Sequence, residues 1–289
     1  MMIYLKIAVI AVCLLLNTAL CFASSQQVTA DNPHFLYTGR IDFSQAKAPY
    51  LTWPGSQVKA RFSGHALTVL LDDELGGNFF NIIIDGQDQF PYVITTKQGK
   101  HEYVISNVLA AGQHTVEIFK RTEGKEGGTR FLGLKLAETG KMLAKPPRPS
   151  RRIEFYGDSI TSGMGNEAAD NAVDRFASEK NHYLSYAALT ARALGAEHHS
   201  ISYSGIGIMA SWFDFTMPEY FDQLSGYGNN DSVWDFNQWT PDVVVINLLQ
   251  NDSWLVDQKK YLSPTPDQHQ RINAYKTFVN DIIQRYPKA

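Results

Sequence analysis

Residues 145–150 read Lys145-Pro146-Pro147-Arg148-Pro149-Ser150 and divide the chain. Proline fixes φ, removes a backbone donor and keeps the residue before it out of helical space. No helix or central strand runs through such a segment, which is stiff, extended and polar, as interdomain linkers are. The hydrophobic pattern changes across it, so each side is read as a separate unit.

From Phe35 to Leu143 short runs alternate apolar and polar residues between turn signals: Val58–Phe62, Ala66–Leu71, Phe79–Ile84, His101–Ser106, His114–Lys120 and Arg130–Ala137. Asp85-Gly86 after Ile84 is a hairpin signal. Period-two runs at this spacing predict an all-β sandwich over 27–144. After the joint, strands alternate with helices. Ile153–Tyr156, Ile201–Tyr203 and the continuous apolar run Val243–Leu249 are expected strands, the last buried on both faces. His182–Leu194 is an expected helix burying Leu184, Ala187, Ala188, Ala191 and Leu194, stopped by Gly195. Thr265-Pro266-Asp267-Gln268 is expected to cap a second, burying Ile272, Tyr275, Val279, Ile282 and Tyr286. This alternation predicts an α/β unit over 151–289 with a parallel sheet.

Residues 1–23 read as an export signal. Lys6 precedes the apolar stretch Ile7–Leu16, and Cys21-Phe22-Ala23 offers a small-x-small cleavage site. Asn17 and Thr18 interrupt the run well short of the ~20 apolar residues a membrane span needs. Leu20 before Cys21 argues against lipidation, and both cysteines, Cys13 and Cys21, lie within the signal. The expectation is a secreted or periplasmic protein with no membrane attachment after cleavage, no disulfide and no thiol nucleophile. A net charge of −3 gives no electrostatic footprint for nucleic acid.

Ligands of open α/β sheets bind outside the carboxyl ends of the strands. Three polar blocks fall there: Gly157-Asp158-Ser159, Ser204-Gly205-Ile206-Gly207 and Asn251-Asp252. A serine at a helix start, a glycine exposing backbone N–H and a side-chain amide could together stabilise an oxyanion. Each also has a plainer reading. Gly-Asp-Ser is a common turn, Asn251-Asp252-Ser253 matches a glycosylation acceptor, and Gly205-x-Gly207-x-x-Ala210 is a weak dinucleotide fingerprint. No cofactor is expected, and no His-Glu-x-x-His or paired-carboxylate spacing indicates a metal.

Ile153-Glu154-Phe155-Tyr156-Gly157-Asp158-Ser159-Ile160-Thr161 resembles the first block of the SGNH (GDSL) hydrolase superfamily, with Ser204-Gly205 and Asn251-Asp252 as its glycine and asparagine blocks. Gly39-Arg40, Trp53-Pro54-Gly55-Ser56, Arg61-Phe62, Ile84-Asp85-Gly86 and Lys120-Arg121-Thr122-Glu123 extend the resemblance through the first half. The layout resembles carbohydrate esterase family two, exported acetyl esterases acting on plant polysaccharides such as xylan and glucomannan. The resemblance implies a jelly-roll sandwich followed by a flavodoxin-like SGNH domain. It implies Ser159 as nucleophile, with its own N–H, the Gly205 N–H and the Asn251 side chain as the oxyanion hole. Asp158 and Asp252 are expected to brace turns.

Two departures stand out. Leu249 occupies the glycine position of the usual Gly-x-Asn-Asp block. The family's Asp-x-x-His block, which carries the general base, is absent from these 289 residues, so the α/β unit is expected to be incomplete. None of the eight histidines is a good substitute: His34, His65, His101 and His114 lie in the sandwich, His182 opens a helix, His198-His199 precede a strand, and His269 starts the last helix. Trp212 and Trp254 could form a sugar platform or lie buried under the loops. The expected partner is an acetylated polysaccharide or oligosaccharide. Three readings follow: a serine acetyl esterase, a non-catalytic carbohydrate-binding protein or decayed esterase, or a different esterase or lipase of the same superfamily. Whether the sandwich itself binds glycan is open.

Overall fold

The computed structural model describes residues 25–172 and 176–288, so the expected export signal lies outside the described residues. Twelve strands precede or enter the joint: β1 Gln26–Thr29, β2 Leu36–Thr38, β3 Ile41–Asp42, β4 Tyr50–Leu51, β5 Gln57–Ser63, β6 Leu67–Asp73, β7 Phe79–Ile84, β8 Tyr92–Thr95, β9 Gly99–Ser106, β10 Gln113–Lys120, β11 Thr129–Leu136 and β12 Lys141–Met142. They form two antiparallel six-stranded sheets. One runs β3-β4-β11-β6-β9 with β1 also on β11; the other runs β12-β5-β10-β7-β8 with β2 also on β5. Alternation does the work expected of it: Val58, Ala60 and Phe62 of β5 face inward against Val69, Leu71, Phe131 and Leu134 of the opposite sheet. The six runs read from the sequence match strands within two residues. Strands of two to four residues, such as β3 and β12, are too short to show a period. Asp85 (φ 52°) and Gly86 (φ 72°) make the expected left-handed turn, although β8 begins only at Tyr92.

The second unit is a parallel sheet ordered β14-β13-β15, with β13 Arg151–Gly157, β14 Ala196–Ser202 and β15 Val243–Asn247. Its helices are α1 Ser159–Ser162, α2 Tyr186–Ala193, α3 Met217–Tyr220, α4 Gln250–Asp252 and α5 Gln268–Arg285. Several expectations are corrected. β14 begins at Ala196, so His198 and His199 lie inside the strand and are buried. β15 has one strand neighbour among the described residues, and its side chains are half-buried or exposed rather than covered on both faces. Ser185 caps α2 by accepting from the Ala188 N–H, which separates Leu184 from the helix and leaves Leu184 and Leu194 exposed. Asp267 caps α5 two residues later than expected, and the helix buries Phe278 beside Ile282 while Ile272 is 42% exposed.

The joint 145–150 is extended but not loose. Arg148 pairs with Glu197 of β14 at 2.5 Å and donates to the Tyr37 carbonyl at 2.8 Å. Arg40, from the sandwich, is fully buried and donates to Glu154 at 3.0 Å, Tyr156 at 3.1 Å, and the carbonyls of Phe221 and Gln223 at 2.6 and 3.1 Å. Trp53 joins the core of the second unit, its indole N–H donating to the Leu224 carbonyl at 2.7 Å. Gly124 lies so close that a Cβ there would sit 1.6 Å from the Gly226 carbonyl oxygen. Among the described residues no helix is long and apolar enough to cross a membrane.

Candidate active site

The parallel register sets Gly157 of β13 opposite Ser202 of β14 and Asn247 of β15, so the three strands end in one layer. The blocks that follow are thereby brought together. Gly157 is required there, since a Cβ would meet Thr161 Oγ1 at 1.9 Å. Asp158 caps α1, its Oδ1 accepting from the Ile160 N–H at 3.0 Å. Ser159 is the first residue of α1 and half-buried. Its N–H and hydroxyl have no hydrogen-bond partner among the described residues. Gly205 turns the loop after β14 at φ 93°, and its N–H likewise has no partner there.

Asn251 knits the blocks. Its amide donates to the Ile206 carbonyl at 2.9 Å and to Asp158 Oδ2 at 3.3 Å, while its Oδ1 accepts from the Trp212 indole at 3.1 Å. Asp252 braces as expected, its carboxylate accepting from the N–H groups of Ile208, Met209 and Ala210. Those are the donors a phosphate would need, so the Gly205-x-Gly207-x-x-Ala210 match does not describe a nucleotide site. Burial pushes the Asp158 carboxyl up to about 6, against the pull of the Ile160 N–H.

No histidine bonds to the Ser159 hydroxyl among the described residues. His182 lies directly behind α1, yet it is sealed: Nδ1 donates to the Thr161 carbonyl at 3.0 Å and Nε2 meets His198 Nε2 at 3.1 Å. Burial pulls His182 down to about 4 and holds His198 and His199 well below the ordinary range. Trp212 and Trp254 are 56% and 50% exposed, which excludes the buried alternative for both. Trp212 flanks the site through Asn251 and packs within 3.3 Å of where a Gly205 Cβ would lie. The 460 Å³ hollow on the sandwich, lined by His65, Glu102 and Lys135, includes none of the three blocks.

One participant escaped sequence reasoning. Glu123, from the sandwich, is 1% exposed, and its Oε2 accepts from the Ser204 N–H at 2.5 Å and the Ser162 hydroxyl at 3.1 Å. Lys180 donates to Oε1 at 2.7 Å and to Glu126 at 2.5 Å. Burial raises the Glu123 carboxyl, but Lys180 and Ser204 outweigh it and hold it below the usual carboxylate range. Its only sequence signal was its place in Lys120-Arg121-Thr122-Glu123, far from any strand end of the second unit.

Comparison with known proteins agrees with this architecture. The family model described as Carbohydrate esterase 2 N-terminal matches residues 37–146. Cellulase/esterase CelE of Acetivibrio thermocellus is 36% identical over 92% of this chain, which spans 31% of that protein. An acetylxylan esterase / glucomannan deacetylase of Cellvibrio japonicus is 28% identical over 94% of this chain and 74% of its own length. A family two carbohydrate esterase from Clostridium thermocellum, solved in complex with cellohexaose, superposes with a TM-score of 0.77 at 34% identity over 88% of this chain and 75% of that one. The chain belongs to carbohydrate esterase family two.

Proposed function

We propose that this chain is an exported serine esterase that removes O-acetyl groups from plant polysaccharides such as xylan and glucomannan. The observation that carries the reading is the convergence of an accessible Ser159 hydroxyl with two unpartnered N–H groups, those of Ser159 and Gly205, beside the Asn251 amide. The two antiparallel sheets then read as the jelly roll, over 27–144, and the β14-β13-β15 order as that of a flavodoxin-like SGNH domain over 151–289.

In this scheme Ser159 Oγ attacks the acetyl carbonyl and its proton passes to a base. The oxyanion settles against the Ser159 and Gly205 N–H groups and the Asn251 amide. Collapse expels the sugar hydroxyl, which takes up the proton, and water then releases acetate from the acyl-enzyme. Trp212 and Trp254, half-exposed beside the second and third blocks, serve as platforms for pyranose rings. Relatives named for acetylxylan and glucomannan, and one solved with cellohexaose, support a polysaccharide substrate.

The test is hydrolysis of 4-nitrophenyl acetate and acetate release from acetylated xylan, by the wild type, Ser159→Ala and Trp212→Ala, with and without added imidazole as a surrogate base. Loss of activity in Ser159→Ala, and a raised KM for xylan but not the aryl ester in Trp212→Ala, are expected. Activity unchanged in Ser159→Ala would overturn the reading. A second reading, a carbohydrate-binding protein without turnover, is favoured by the Ser159 hydroxyl, which has no hydrogen-bond partner among the described residues. Retention on acetylated xylan with no acetate released, even with imidazole, would select it.

A further inference from the structure

We propose that Glu123, a sandwich residue, is the positioning residue of the oxyanion loop, and that the sandwich thereby sets the geometry of the catalytic site. The inference rests on the reading of Ser159 and Gly205 given above. A single carboxylate oxygen, Glu123 Oε2, spans the two elements whose separation matters. It holds the Ser204 N–H at 2.5 Å, one residue before the donor Gly205, and the Ser162 hydroxyl at 3.1 Å, at the end of the one-turn helix that begins with Ser159.

Glu123 is itself over-determined. Lys180 holds Oε1 at 2.7 Å, and the buried Lys120 ammonium grips the backbone carbonyls of Thr122 and Glu123 at 2.8 and 3.2 Å. Hydrogen bonds to an ionised acceptor are about twice as strong as neutral ones. Gly205, at φ 93°, makes no bond from its own N–H among the described residues; its carbonyl accepts from the Trp212 N–H at 3.1 Å, and on its N-terminal side Glu123 holds the Ser204 N–H. The pairing of β13 with β14, the Tyr203 N–H on the Gly157 carbonyl at 3.2 Å and the Ser162 hydroxyl on Ser202 Oγ at 3.0 Å also tie the two elements, but none of these contacts reaches Ser204. Misplacement by about 1 Å can cost on the order of 10²-fold in rate.

Two double variants separate positioning from charge pairing. Glu123→Gln/Lys180→Met keeps an acceptor for Ser204 and Ser162 but removes the ion pair. Glu123→Leu/Lys180→Met removes the acceptor at similar volume. With 4-nitrophenyl acetate the Leu variant should lose at least ~10-fold in kcat, part of the ~10²–10³-fold that loss of a whole donor causes, with KM little changed. Amide hydrogen exchange at Ser204 and Gly205 should quicken. The Gln variant should recover most of both effects even though the two variants melt at similar temperatures. Equal kcat in the two variants, or unaltered exchange at Ser204 and Gly205, would overturn the proposal. If the Leu variant fails to fold, Ser162→Ala removes one arm of the bridge, and an unchanged kcat there is the contrary result. A wild-type chain that does not hydrolyse the ester counts against the esterase reading alone, and the exchange measurement then decides the role of Glu123.

Discussion

Leu249 sits at φ 92°, ψ −7°, in the left-handed region where a side chain crowds the following carbonyl. This is the position at which the resembled block carries glycine, and the backbone has kept the glycine conformation. For an L-residue that costs roughly 1–2 kcal/mol. Replacing Leu249 by Ala and by Gly should therefore invert the ordinary ranking, with the Gly variant more stable by about 1 kcal/mol in chemical unfolding; an Ala variant as stable as the Gly one contradicts the strain. Asp158 yields a pH prediction. Its folded pKa of about 6 lies above the ordinary 3.8, so stability associated with the protonated carboxyl is complete below about 4 and lost as pH rises through 6. Asp158→Asn keeps the cap on Ile160 and cannot ionise. Its stability relative to wild type should rise between pH 4.5 and 7.5 in urea unfolding, and a constant difference would refute the assignment. At this scale the motif residues were legible because strand ends follow from local pattern. Glu123 was not, because its partners Ser162 and Ser204 are brought to it only by docking of the two units.

Among the elements, the loop after β14 is shaped by a residue from another strand end. Asp252 gathers three consecutive N–H groups, from Ile208 to Ala210, at 2.5–3.0 Å, and a Cβ on Gly207 would strike its carboxylate at 2.5 Å. Asp252→Ala strands three donors, at about 1–3 kcal/mol for each one left unsatisfied. A loss of at least ~2 kcal/mol in chemical unfolding is expected; a change below ~0.5 kcal/mol, ordinary for a surface site, would refute this role. The long strands announced themselves through period two, since each pairs across most of its length. Helix starts were less legible: Thr265-Pro266 and Asp267 both satisfy capping chemistry, and the reciprocal bonds between Asp267 and Gln270, each at 2.8 Å, decide for Asp267.

For the whole molecule, two units joined by prolines were legible, but their interlock was not. Arg40 enters the sequence reading only within Gly39-Arg40, yet it is the fully buried counter-ion of Glu154 in β13. Removing one partner of such a pair typically costs 3–5 kcal/mol, because the other charge stays buried alone. Arg40→Met should lose that much stability, and Arg40→Met/Glu154→Gln should regain a good part of it. A single variant within about 0.5 kcal/mol of wild type would mean the charge finds water.

The closeness of Gly124 to Gly226 has a further consequence, for how such a chain can change over time. Where a methyl group would collide with the neighbouring unit's backbone, the two halves accept alterations only in step. A recombination event exchanging the sandwich for a relative's would bring in partners shaped for another Arg40, Trp53 and Glu123. The proline joint thus has the look of a seam for trading parts, while the buried contacts on either side oblige them to be inherited together.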